Sequence, residues 1–245
     1  MGVGFYFSVA MLPVMSIITI IFILKRKIKN EETRIYKYIL ITILLMTSLE
    51  IISALLFKNY FNTYMYDLIA KLVLISYITI NYLFCLYFMK VCNISKKSLK
   101  VLKIMSIIIL LITFVAKTVY IKNNEMVVPQ GIPVIMTFYY AVVLGTYQLI
   151  LAIKNRKVIA TKKFAPFYSF LLLGLINGML IVVFPASFMV GYIWCLTIII
   201  MNFTIENPDI KVLNELYKNK TIMEQTYDDK ANFLFEAAQE IKNPL

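Results

Sequence analysis

The sequence predicts an all-α, polytopic membrane protein with seven transmembrane helices, its N-terminus outside and its C-terminus inside, followed by a cytoplasmic helix with coiled-coil spacing. Three observations carry this. Hydrophobic residues make up 61% of the 245 and charged residues only 16%, too few to solvate the surface of a soluble domain. Several apolar runs reach the ~20 residues with which a helix crosses a bilayer. Positive charge gathers in alternate loops.

The net charge of +12 does not point to nucleic acid, because of where it sits. Residues 1–205 hold 20 Lys+Arg against 5 acids, whereas 206–245 hold 5 against 8. The excess belongs to the membrane part, where it orients the chain, and nucleic acid is excluded as a partner. Cys85, Cys92 and Cys195 show no CxxC spacing, and there is no histidine. A disulfide framework, a His-containing metal site and a His-based triad are therefore unsupported, and no metal is expected.

The first span covers about residues 5–24 and is followed by Lys25, Arg26, Lys27, Lys29 and Arg34. A secretory signal carries its charge on the other side of the apolar stretch, so this span reads as an uncleaved anchor. The second, about 35–57, leads into a short Tyr-rich loop with Lys58 as its base. The third, about 68–89, returns to Lys90, Lys96, Lys97, Lys100 and Lys103. The fourth, about 101–121, exits to a loop over 122–133, again with one base. The fifth, about 134–153, returns to Lys154, Arg156, Lys157, Lys162 and Lys163. The sixth, about 167–184, turns at Pro185, and the seventh, about 188–205, delivers the acidic tail. Three loops with five bases each alternate with outer loops holding one, one and none. That alternation sets the orientation, and the same inner bases make membrane lipid a partner. The outer loops are too short for an extracellular sensory domain.

Ionisable residues inside a span are costly and usually mark function or a pairing partner. Glu50 sits ~10 Å below the outer end of the second span at the helical rise per residue. Lys71 lies one turn into the third span and Lys117 one turn from the outer end of the fourth. Either lysine can pair with Glu50, and the three are expected to line an outward-facing polar pocket; an interhelical salt bridge that only fixes packing is the plainer alternative. Asn81 and Asn177 read as hydrogen-bonding glue between helices, and Gly174 with Gly178 as a small-residue pair for close packing on the seventh span.

The junction Thr204-Ile205-Glu206-Asn207-Pro208-Asp209 reads as a break between two helices. Asn207, before a proline, is pushed out of the α region, and it caps a new helix with Pro208 at the first position. Beyond it, a stride of four then three visits Leu216, Lys220, Met223, Tyr227, Lys230, Leu234, Ala237 and Ile241, a heptad seam weakened by two lysines. The last fifteen residues read A-N-F-L-F-E-A-A-Q-E-I-K-N-P-L.

Phe233, Leu234, Glu240, Ile241, Lys242, Asn243, Pro244 and Leu245 resemble the phosphoacceptor helix of bacterial sensor histidine kinases of two-component systems. The Thr-Ile-Glu-Asn-Pro-Asp junction is similar to that of a group of multi-span members. The resemblance covers about residues 204–245. It implies a seven-helix sensor domain over 1–206 in the cell membrane, a linker helix over 207–230, and the start of the dimerisation helix over 231–245. It further implies a homodimer through that helix and a response regulator as partner. Asn207 and Pro208 become the signal relay.

One position departs from the pattern. Gln239 stands where the family has its phosphoacceptor histidine, and an amide nitrogen, its lone pair delocalised into the carbonyl, cannot take a phosphoryl group as imidazole does. Glu240 matches the acid that orients the imidazole, while Asn243 and Pro244 match the positions that bend the helix below it. No Gly-rich phosphate loop occurs in these residues. ATP and Mg are expected only with a downstream ATP-binding domain, so no kinase activity is expected of this chain by itself. Two further readings fit: a degenerate receptor that dimerises with an active kinase, and a transporter-like protein with an incidental tail.

Overall fold

The computed structural model describes residues 3–24, 31–60, 63–122, 127–155, 165–183, 190–204 and 208–242. They form α1 (Val3–Leu24), α2 (Glu31–Tyr60), α3 (Tyr64–Val91), α4 (Lys96–Val115), β1 (Val119–Lys122), β2 (Val127–Gln130), α5 (Ile132–Lys154), α6 (Ala165–Val183), α7 (Val190–Thr204) and α8 (Pro208–Lys242). The chain divides into two compact units, Met1–Lys25 with Lys29–Glu206, and Arg26–Ile28 with Asn207–Leu245.

The first unit is a bundle arranged around α3. Half of the apolar stretch of α3 is buried, against 17–28% for the four other long apolar helices, which places it at the centre. One side of α3 presents Ile80, Leu83, Phe84, Tyr87 and Phe88 to a core shared with Met15 of α1, Ile39 and Ile43 of α2, and Trp194 and Ile198 of α7. Its other side presents Ile78, Cys85 and Met89 to Leu102 of α4 and Tyr140, Leu144 and Leu151 of α5. Aromatic rings lock the first core: Trp194 lies 4.4 Å from Phe170 and 5.2 Å from Phe84, and Phe84 lies 4.9 Å from Phe88.

Local chemistry sets the helix ends. Thr63 caps α3 by accepting the Tyr66 N–H, and Ser95 caps α4 by accepting the Ser98 N–H. Alpha-3 ends with Asn93 at φ 51°, the Ile94 N–H bonding the Met89 carbonyl and the Asn93 N–H that of Lys90, the hydrogen-bond pattern that closes a helix on a left-handed residue. Gly131, at φ 105°, makes the sharp entry from β2 into α5.

Among the described residues, five helices are long and apolar enough to cross a membrane: α1 over Gly4–Leu24, α2 over Glu31–Leu56, α3, α4 and α5. Two more apolar helices are shorter, Pro166–Ile176 and Val190–Phe203. Apolar side chains such as Ile17, Leu45, Leu111, Phe138 and Leu172 are exposed, as befits a bundle whose surround is lipid. The chain is an all-α bundle of the polytopic membrane kind.

Several expectations are corrected. The fourth span ends at Val115 rather than near residue 121, because Val119–Lys122 pairs antiparallel with Val127–Gln130. Part of the expected outer loop over 122–133 is thus a hairpin, in register Val119↔Gln130 to Lys122↔Val127. A side chain added at Gly174 meets open space, so that glycine makes no close helix contact, although α6 does pack on α7.

The second unit contributes α8, one unbroken helix of 35 residues. Leu216, Met223, Tyr227, Phe233 and Leu234 are all exposed on it, and Lys220 pairs with Glu224 at 3.7 Å.

Candidate functional site at Glu50

Four helices of the bundle converge on the carboxylate of Glu50. Ser8 lies near the start of α1 and Gly191 near the start of α7, while Glu50 and Tyr77 lie within α2 and α3. Ser8 of α1, itself buried, donates its hydroxyl to Glu50 Oε2 at 2.6 Å. Tyr77 of α3 donates its hydroxyl to Glu50 Oε1. Gly191 of α7 forms the fourth wall: a Cβ built there would stand 2.5 Å from both carboxylate oxygens. Only a residue without a side chain lets the carboxylate lie against that backbone. The Gly191 backbone also faces the Tyr77 hydroxyl, and Cys195, one turn on, is buried beside the pair. Phe7 of α1 and Tyr192 of α7, with ring centroids 4.7 Å apart, close the contact from the side.

The expected lysine partners do not take this place. Lys71 pairs with Asp67 on its own helix at 3.2 Å, an i,i+4 arrangement that satisfies it one turn away. Lys117 lies beyond the end of α4 and is exposed. Neither therefore pairs with Glu50, and among the described residues no ion pair includes it. Asn81 turns inward on its own helix, its amide donating to the Tyr77 carbonyl at 2.8 Å, and is not glue between helices. The side chain of Asn177 lies outside the described residues.

Two neutral donors hold a group that, when ionised, has about four acceptor sites. Ser8 has a second option, since its hydroxyl also lies 3.1 Å from the Gly4 carbonyl. The arrangement therefore accommodates both protonation states. Sequence reasoning found Glu50 as a lone acid in an apolar span, but missed Ser8, Tyr77 and Gly191. A serine, a tyrosine and a glycine are unremarkable residues in apolar helices, and only the packing of α1, α3 and α7 on α2 singles them out.

At the opposite end of the bundle, Lys90 meets Glu31 at 2.7 Å, beside an open cleft lined by Glu32, Asn93 and Lys96. Tyr36 of α2 donates its hydroxyl to the Ile198 carbonyl of α7 at 3.3 Å.

Of the tail residues, Pro208 opens α8 as expected for a first-turn proline, and Gln239 and Glu240 lie within the helix. Their side chains, and Asn207, Asn243 and Pro244, lie outside the described residues. Among the described residues no group of His, Cys, Asp and Glu is placed to hold a metal ion. No protein-family model, curated protein or solved structure matches the chain.

Proposed function

We propose that this chain is the membrane input region of a two-component histidine kinase: seven spans, N-terminus outside, passing a membrane-borne or outer-surface signal to a cytoplasmic dimerisation helix. The observation that carries the reading is α8. It is a single helix over Pro208–Lys242, with the kinase-like run over residues 233–242 in its last turns and apolar residues exposed along its length. An exposed helix of that length gains stability by pairing with a second copy. Asn207 and Pro208 join the last apolar helix to it, and two helices joined at such a break are a natural bistable relay.

Helix direction supports the orientation. Ser8 meets Glu50 at one end while Phe22 meets Tyr36 towards the other, and Glu31 meets Lys90 there, so α1, α2 and α3 alternate in direction. The base-rich segments after α1 and α3 then share one side, the inner one by the positive-inside rule. Gln239 favours one second reading, a degenerate receptor that dimerises with an active kinase.

The test is autophosphorylation in membranes with labelled ATP, using a Gln239→His variant with an ATP-binding domain supplied downstream. Acid-labile label on the histidine version, absent with Gln239, supports the reading. A folded, dimeric fusion without label contradicts it.

A further inference from the structure

The carboxylate of Glu50 lies inside an apolar helix, and its hydrogen-bond partners among the described residues, Ser8 and Tyr77, are uncharged. We propose that Glu50 is a proton-binding site and a latch: its hydrogen bonds tie α1 and α3 to α2, and its protonation state sets the close contact that Gly191 of α7 makes with the carboxylate. The distances select the ligand. Oxygens that share one calcium-sized ion at about 2.4 Å each stand roughly 3 Å or more apart. Glu50 Oε2 and Ser8 Oγ are 2.6 Å apart, the length of an O–H···O bond. The ion that fits between them is a proton.

Both states balance. With Glu50 ionised, Ser8 and Tyr77 each donate to one oxygen, and the remaining lone pairs have no donor. A proton taken from water onto Oε2 turns that oxygen into a donor to Ser8 Oγ, and the Ser8 hydroxyl swings to the Gly4 carbonyl at 3.1 Å. The neutral form is then satisfied without water. The ionised form needs another donor, and because the Gly191 backbone packs directly on the carboxylate, a water reaches it there only as the start of α7 moves off. Ionisation therefore draws water between Glu50 and the start of α7, and protonation closes that contact. The titratable groups facing Glu50 are Tyr77 from α3 and Cys195 from α7, and α1 contributes Ser8. The Asp67–Lys71 pair lies further along α3, neutralised within itself.

The latch stands on this geometry alone; its use as a signal rests on the input-region reading above. Trp194, the chain's one tryptophan, sits one turn after Gly191 in the aromatic core and reports the packing of α7. The experiment titrates the full chain in lipid nanodiscs, following the carboxylic C=O band by infrared difference spectroscopy and Trp194 fluorescence together. The latch predicts that one component of the band and the Trp194 signal change at one midpoint, that Glu50→Gln removes both that component and the Trp194 change, and that Tyr77→Phe, by removing a donor to the ionised form, moves the midpoint to higher pH by about one unit or more. A carboxylic difference band that is the same in Glu50→Gln as in the parent, a midpoint unmoved by Tyr77→Phe, or a titration that leaves Trp194 unchanged overturns it. If all three expectations hold while phosphorylation of the kinase fusion ignores pH, the latch is supported and its use as the signal is contradicted; a folded, dimeric fusion without label contradicts the input-region reading instead.

Discussion

Ser8 and Glu50, forty-two residues apart, meet through a 2.6 Å hydrogen bond that ties the start of α1 to the second half of α2. The bond satisfies a carboxylate in an apolar bundle without any cation, which distinguishes it from the ion pairs at Lys71 and Lys90.

Removing the acid strands its donors. Glu50→Ala leaves the Tyr77 hydroxyl without its acceptor, whereas Ser8 can fall back on Gly4. The expected loss is about 1–3 kcal/mol, the cost of one unsatisfied buried donor. Unfolding in a denaturing-detergent titration measures it, and a variant as stable as the parent would show that the cluster holds nothing.

Gly191→Ala places a Cβ 2.5 Å from both carboxylate oxygens. The flexible Glu50 side chain yields rather than the backbone, at the expense of the bonds to Ser8 and Tyr77. Stability should fall by an amount similar to Glu50→Ala, and in the double variant the two losses should not add. Additive losses would place Gly191 outside the Glu50 cluster.

Trp194 tests the packing of α7. It is 1% exposed and touches Phe84 and Phe170. Truncation to Ala in a soluble core costs about 3–5 kcal/mol. Here the transfer part shrinks because lipid is as apolar as the core, so about 3 kcal/mol is expected in the same titration. A loss below about 1 kcal/mol would mean that α7 is not held by this core.

The Asp67–Lys71 pair should matter little. Both side chains keep some exposure, 27% and 14%, and the pair spans one helical turn. Asp67→Asn is expected to cost under about 1 kcal/mol. A loss several times larger would give the pair a role beyond the helix.

Much of the architecture was legible because bilayer thickness is written into sequence: the long helices α1, α2, α3 and α5 lie where apolar runs and flanking bases put them. The end of α4 was not, since Val119, Tyr120 and Ile121 extend the apolar run past Lys117, and what stops the helix is their pairing with the strand Val127–Gln130. The site was half legible. A lone carboxylate in a span announces itself by its cost, but its expected partners were chosen by charge. The packing instead supplied two hydroxyls and a bare glycine backbone, and left Lys71 to a neighbour four residues away.

The most direct test of the whole account is whether the bundle drives α8. In membranes, the Gln239→His fusion carrying an ATP-binding domain is compared with the same fusion bearing Glu50→Gln, and the rate of label incorporation is read for both. The account predicts a rate that changes by several-fold or more and loses its pH dependence in the Glu50→Gln fusion. Equal rates and equal pH profiles, in proteins shown to be folded and dimeric, would contradict it.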